Sequence, residues 1–406
     1  MLYRLEIENF SSIRDHQVLD LTIAPNVSDP AGRYGELFPG SDLRAPKVLA
    51  LYGPNASGKT TVLKALDFLV RFARDSGRST IEGFGCPPFN DQNSMSRPMR
   101  LTVEFGGAMD LSPTVLERAE RGEHVVHGLY RYELCLDVQD GNPYRVKSEA
   151  LRQKVDGKGK WARVFERDEG GKVLGSSSFS VTKFRHLEST LRRNASVLSS
   201  FALFQHPTAA LFVDRLGGVI SNLNPIAESG IVSFLAQQPS LISHLSRDLG
   251  RIDIGVSGMR MADTPSGPQP MFRHEGLKFE MPLHLQSNGT RTFIRIFPLL
   301  VHALEQGGIA VIDEFDTMIH AAILPDILRW FYDQETRNPK DAQLWLSCHS
   351  ASLLDDLTKE EVILCEKDSL GRTKVFSLMD VKSVRRDDNL YRKYLSGAYG
   401  ALPHIG

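Results

Sequence analysis

The chain opens with a period-two pattern. Leu2, Arg4, Glu6 and Glu8 alternate with Tyr3, Leu5, Ile7 and Asn9, and Val18, Asp20 and Thr22 alternate with Leu19, Leu21 and Ile23 around a turn at Ser12–Asp15. This predicts a β-hairpin with one buried face. Residues 25–46 are rich in Pro, Gly and Asp and read as a surface loop. Val48–Tyr52 is an apolar run, hence a buried strand, and Thr61–Leu69 carries its apolar residues on one helical face. Residues 75–99 are loop-like. Strands are predicted near 100–105, 125–138, 144–151 and 161–167, an antiparallel section with a Gly-Lys turn at 156–160. Helices follow over about 185–250, broken at Pro239, and residues 258–270 read as flexible. Further on, the pattern predicts a strand at 279–285, a polar loop at 286–290, a helix at 291–304 and a strand at 308–312. A helix at 324–332, a strand at 343–348, a hairpin over 362–378, a basic helix and a Gly-rich tail complete the chain. No internal repeat or sustained heptad is visible, so no long coiled-coil arm is predicted.

One stretch within this pattern carries chemistry. Gly53, Pro54, Asn55, Ala56, Ser57, Gly58, Lys59 and Thr60 fit G-x-x-x-x-G-K-[ST] without a mismatch, between a strand and a helix. Such a loop aims backbone N–H groups and a helix N-terminus at an anion. The glycines allow close approach of phosphate, Lys59 reaches the β- and γ-phosphates, and the Thr60 hydroxyl ligates Mg2+. Thr61 completes the nucleotide-binding set, and ATP with Mg2+ is the expected ligand. A second element is Gly308–Ile312 followed by Asp313 and Glu314. An Asp at a strand end beside such a loop is a second anchor for Mg2+, usually through water. Glu314 beyond it can polarise an attacking water as general base. Alone, that second element also reads as an ordinary strand ending in two surface acids.

Composition changes little. The 406 residues are 41% hydrophobic and 24% charged, with a formal net charge of -1. This suits a soluble globular protein and provides no global field toward nucleic acid or an anionic membrane. The first residues lack the apolar core of a signal peptide, and no apolar run is long enough to span a bilayer, so a cytoplasmic location is expected. Cys86, Cys135, Cys348 and Cys365 have neither close pairing nor metal spacing and read as isolated thiols. Residues 145–172 hold nine Lys/Arg against five Asp/Glu, and Lys183, Arg185, Arg192 and Arg193 follow. A basic stripe over 145–193 can bind nucleic-acid phosphates, or it can be a solvated face.

Taken together, the residues resemble the ABC-type ATPases of the RecF, Rad50/SMC and OLD branch. Leu5–Ile13 looks like that branch's first strand and Asn-Phe turn. Ser287-Asn288-Gly289 resembles the signature loop, Asp316 with Ile319-His320 occupies the D-loop region, and His349 looks like the switch histidine. The closest likeness is to prokaryotic AAA15-type ATPases of the RloA-like, abortive-infection group. It rests on Arg193–Ser199 and on the tail Tyr394–Pro403. The resemblance implies an α/β fold, an ABC-type P-loop ATPase head with an inserted α+β region. Residues 1–99 would form the first half of the core, 100–270 the insertion, 271–380 the second half, and 381–406 a tail. It also implies catalytic Glu314, Lys59 and His349. Ser287 and Gly289 would contact the γ-phosphate on a second subunit, giving a head-to-head dimer. The implied role is a switch ATPase in anti-phage defence beside a separately encoded effector. The alternative is a DNA-repair or DNA-end-binding ATPase of the RecF/SMC type, and a transport cassette suits the chain poorly. Ser287 also reads as a plain helix N-cap, His349 as a capping or buried histidine, and His320 as structural. Only 57 residues follow His349, too few for the nuclease domain of OLD proteins. The Q-loop glutamine is not identifiable, with Gln92 and Gln205 as candidates.

Overall fold

The computed structural model describes residues 1–401 except 80–83, 110–124, 189, 225–227, 253–254, 266, 318, 320, 383 and 386–387. Its centre is a six-stranded sheet. In chain order its strands are β5 (Val48–Tyr52), β11 (Val219–Ser221), β15 (Ile309–Ile312), β16 (Gln343–Ser347), β17 (Val362–Lys367) and β18 (Thr373–Ser377). The spatial order is β11-β15-β16-β5-β17-β18, with all pairs parallel except β17–β18. β5 is buried at every position, which is why it reads as an unbroken apolar run rather than an alternating one.

The two faces of this sheet have different covers. Leu49 and Leu51 of β5, Val311 of β15 and Trp345 of β16 meet helix α1 (Lys59–Asp75) and a second, antiparallel sheet. That sheet joins β1 (Leu2–Glu8), β2 (Gln17–Asp20), β6 (Met99–Ala108), β7 (His127–Gln139), β8 (Asn142–Val155), β9 (Ala162–Arg167) and β10 (Val173–Gly175), in the order β10-β9-β8-β7-β6-β1-β2. Two helices, α2 (Val197–Leu203) and α3 (Pro207–Leu216), pack against α1 on this side. On the opposite face, Val48, Ala50, Leu344 and Leu346 meet α4 (Glu228–Ala236), α5 (Pro239–Ile252), α6 (Asn288–Gln306) and α7 (Leu324–Tyr332). Each of the valines and leucines among these taken out of water contributes about 1.5–3 kcal/mol. A short helix, α8 (Leu390–Leu395), sets Tyr394 edge-on against Tyr52.

Several expectations need correction. Residues 25–46 are not all loop: β3 (Tyr34–Glu36) pairs with β4 (Arg44–Pro46), and Leu37 and Phe38 are buried over it. Turn-forming Pro and Gly hid these few apolar residues. Residues 258–270 are not flexible but belong to an antiparallel pair, β12 (Val256–Thr264) and β13 (Gly267–His274). Pro268 and Pro270 read as breakers, yet they lie two apart, opposite Asp263 and Met261, on one class of ladder site. Proline is tolerated where the ladder asks for no N–H. The strand predicted at 279–285 shrinks to β14 (Met281–Pro282) plus a 3-10 turn, with Phe279 76% exposed. Helix α6 begins three residues early, so Asn288–Thr290 form its first turn rather than a loop. β11 lies inside a stretch read as helical. The division at 99/100 falls within β6, which pairs with β1 from Leu2 to Glu8, so the β section continues the opening hairpin's own sheet.

Candidate functional site

The phosphate loop joins β5 to α1, at the C-terminal end of the parallel sheet, where open α/β sheets place ligands. Gly53 has φ 145 and Gly58 φ 109, both closed to ordinary side chains. A Cβ on Gly53 would lie 2.2 Å from the Cys365 carbonyl oxygen, and one on Gly58 would lie 2.4 Å from Thr373 Oγ1. The loop is thus packed tightly against β17 and β18. Thr373 Oγ1 donates to the Ser57 carbonyl at 2.9 Å, and Thr61 and Ser12 hydroxyls meet at 3.0 Å.

This loop fits an anion. Gly58 gives α1 no side-chain cap, and no acid lies in the first turn, so the helix's first N–H groups lack protein capping there. Lys59 is 5% exposed and, among the described residues, its ammonium donates to carbonyls alone, Gly53 O at 2.8 Å and Pro54 O at 3.0 Å. Burial lowers its pKa, and the more distant Cys365 and Asp313 only partly oppose that. A phosphate would supply the missing negative partner. Ser57 Oγ is buried and has no hydrogen-bond partner among the described residues, a further polar atom on the loop's wall.

Asp313 and Glu314 follow β15. Thr60 Oγ1 donates to Asp313 Oδ1 at 3.1 Å, joining residues 253 positions apart. Ser347, ending β16, donates from Oγ to the same Oδ1 at 2.5 Å, and accepts from the Glu314 N–H at 2.8 Å. Thr60 and Asp313 form the oxygen pair that would hold Mg2+, where the ion would neutralise phosphate charge. Glu314 is exposed and has φ 52, a left-handed backbone uncommon for a residue with a side chain. It is placed at the mouth of the site rather than within the core.

The other expected residues divide. His349 is exposed, and its backbone N–H is held by both Asp316 carboxylate oxygens at 3.0 and 3.1 Å. Asp316 also accepts from Ser350 N–H at 2.5 Å, so this one carboxylate fixes the turn that carries the histidine. Ser287 caps α6: its Oγ accepts from Thr290 N–H at 3.1 Å. Among the described residues no hydrogen bond links Ser287 or Gly289 to the phosphate loop or to Asp313, Glu314 or His349. Gln92 and Gln205 are both exposed and make no described bond to the site. His320 lies outside the described residues. Many basic residues of the 145–193 stretch are engaged internally. Arg145 and Lys147 pair with Asp137, Arg152 with Glu133, and Arg167 and Arg192 donate to backbone carbonyls.

Sequence reasoning missed Ser347, Thr373 and Asn222. Asn222 donates from Nδ2 to the Asp313 carbonyl at 2.9 Å and accepts from its N–H at 2.7 Å. Ser347 carried one signal, its place two residues before His349 at a strand end. Asn222 carried none.

No curated protein matches the chain. Among solved structures, the SMC head domain from Thermotoga maritima is similar at TM-score 0.41 and 12% identity, over 93% of this chain and 98% of that one. No helix among the described residues is long and apolar enough to cross a membrane. A family profile matches residues 48–106 and 148–355, taking in the phosphate loop, Ser287, Asp313, Glu314 and His349. With that span, the chain belongs to the P-loop ATPase family AAA_21, described as "AAA domain, putative AbiEii toxin, Type IV TA system".

Proposed function

We propose that the protein is a Mg2+-dependent ATPase of the cytoplasm in which turnover works as a conformational switch. One observation carries the reading: Thr60, Asp313 and Ser347 meet on one oxygen beside the phosphate loop, with Glu314 next in the chain. In this arrangement Lys59 and the α1 N-terminus would hold the phosphates, and Thr60 with Asp313 would hold Mg2+. Glu314 would accept a proton from the attacking water, and His349, on the exposed turn held by Asp316, would sense the γ-phosphate.

Ser287 and Gly289 stand at the N-terminus of α6 and, among the described residues, make no bond to their own phosphate loop. That supports a head-to-head dimer in which they complete the site of a second copy. Loss of γ-phosphate contacts on hydrolysis would loosen it. The family's description with toxin systems supports a defence role exercised through a separately encoded effector. The DNA-end reading is the alternative, and the exposed Lys158, Lys160, Arg163, Lys172, Lys183 and Arg193 are the residues that would serve it.

The test is light scattering on wild type and Glu314→Gln, with and without ATP-Mg2+. ATP should lock a dimer in Glu314→Gln, and Ser287→Arg should abolish it. Assembly indifferent to ATP and to Ser287 would sink the switch while leaving nucleotide binding intact.

A further inference from the structure

We infer that Asn222 is a positioning residue for the Asp313–Glu314 peptide, and that the segment Ser221–Asn224 registers the general base against the phosphate-binding helix. The inference rests on the ATPase reading above. β11 ends at Ser221, and the Asn222 N–H still donates to Val311 O at 3.1 Å. The next rung is made by the side chain. The Asn222 amide presents one donor and one acceptor in a plane, as a peptide does, and takes both backbone polar groups of Asp313. On the other side Ser347 Oγ takes the Glu314 N–H, and Ser347 O takes the Phe315 N–H at 3.0 Å. The Asp313–Glu314 peptide is therefore gripped from both neighbouring strands. That grip is what holds Glu314 in its left-handed conformation, which sets the direction of its carboxylate.

The same segment reaches α1. Ser221 Oγ donates to Asp67 Oδ1 at 2.6 Å, and Asn224 Nδ2 lies 3.5 Å from Asp67 Oδ2. Asp67 is buried on α1, whose first two residues are Lys59 and Thr60. Four residues thus connect the helix that presents phosphate ligands to the peptide that presents the acids. A cleft of about 230 Å³, lined by Asn222, Asn224, Arg295, Glu314 and Thr317, lies beside this peptide. It gives the peptide room to turn if the amide is lost. Aspartate at 222 keeps the shape but has no donor for Asp313 O and adds a carboxylate beside two others.

The experiment compares wild type, Asn222→Ala and Asn222→Asp by steady-state ATP hydrolysis, calorimetric ATP-Mg2+ affinity and thermal melting. The expected result is a kcat lower by about 10–100-fold with KM and Kd, both read at saturating Mg2+, within about threefold, because the general base is misplaced while the phosphate loop is not. A kcat within about threefold of wild type in both variants overturns the inference, as does a kcat loss that only follows lost affinity. If Asn222→Ala does not fold, Asn222→Asp carries the test. Failure of both assigns Asn222 to stability alone and overturns it too. Wild type that binds but never hydrolyses ATP refutes the ATPase reading separately. The positioning role is then read from Mg2+: Asn222→Ala should raise the Mg2+ needed for half-maximal ATP binding by about tenfold, and an unchanged requirement overturns it.

Discussion

Gly53→Ala tests the packing of the phosphate loop most directly. The new Cβ would stand 2.2 Å from the Cys365 carbonyl oxygen, where real Cβ contacts stay beyond 3.0 Å, so something must move by about 1 Å. β17 is poorly placed to yield, because it is paired with β5 on one side and β18 on the other. The loop must yield instead. Overpacking of this kind costs about 1–3 kcal/mol. Holding alanine at φ 145 adds about 1–3 kcal/mol of backbone strain. Together, about 2–6 kcal/mol falls on the conformation that binds phosphate, and each 1.4 kcal/mol is about tenfold in affinity. ATP-Mg2+ affinity, measured by calorimetry, should therefore fall at least about 30-fold. Gly40→Ala is the control, since Gly40 has φ 85 but nothing within 4 Å of the added Cβ. It should leave affinity unchanged. If Gly53→Ala binds ATP within about threefold of wild type, the tight contact with β17 does not shape the loop and the reasoning fails.

Three further outcomes are expected. Glu314→Gln should keep ATP affinity while hydrolysis, followed by phosphate release, drops about 10²–10⁴-fold; equal activity would remove Glu314 as general base. ATP binding should take up protons in alkaline solution. Burial lowers the Lys59 pKa in the free protein, so part of its population is neutral there, and a bound phosphate raises the pKa again. Calorimetry at about pH 9 in buffers of different ionisation enthalpy reads this, and zero or negative uptake contradicts it. All four cysteines are buried, and burial pushes Cys86, Cys348 and Cys365 up to about 12. Native protein should therefore resist a thiol reagent near pH 8 while unfolded protein reacts at all four, and fast native labelling at Cys365 would mean that β17 opens.

The sequence revealed what local chemistry dictates. Gly53–Thr60 announced itself because phosphate binding demands fixed residue types at fixed spacing; Ile309–Glu314, an ordinary pattern by itself, became legible only because a phosphate loop stands in the same chain. The partners of these residues were silent. Ser347, Thr373 and Asn222 are ordinary polar residues whose roles exist only once distant strands align. Asn222 and Asp313 are 91 positions apart, and Thr373 and Ser12 are 361 apart. β11 escaped because three residues are too few for any period to show, and β12–β13 because two prolines read as breakers while the buried Val256 and Met259 of β12 lie three apart and do not alternate. The opening hairpin was visible, but its pairing with β6 was not, since an alternating strand does not name its neighbour.

The central sheet also has a consequence for the order of synthesis. β5 emerges early, an apolar strand with no neighbour, while its two partners begin only at Gln343 and Val362. At about 5–20 residues per second the ribosome needs on the order of 15–60 s to deliver β17 after β5. Through that interval the phosphate loop has neither its β17 wall nor Asp313 for most of the time, so the nascent chain cannot gain from ATP. Nucleotide can then stabilise only finished molecules. A truncated product ending before Val362 would retain the glycine loop yet lack its binding energy, leaving β5 open to other chains and to proteases.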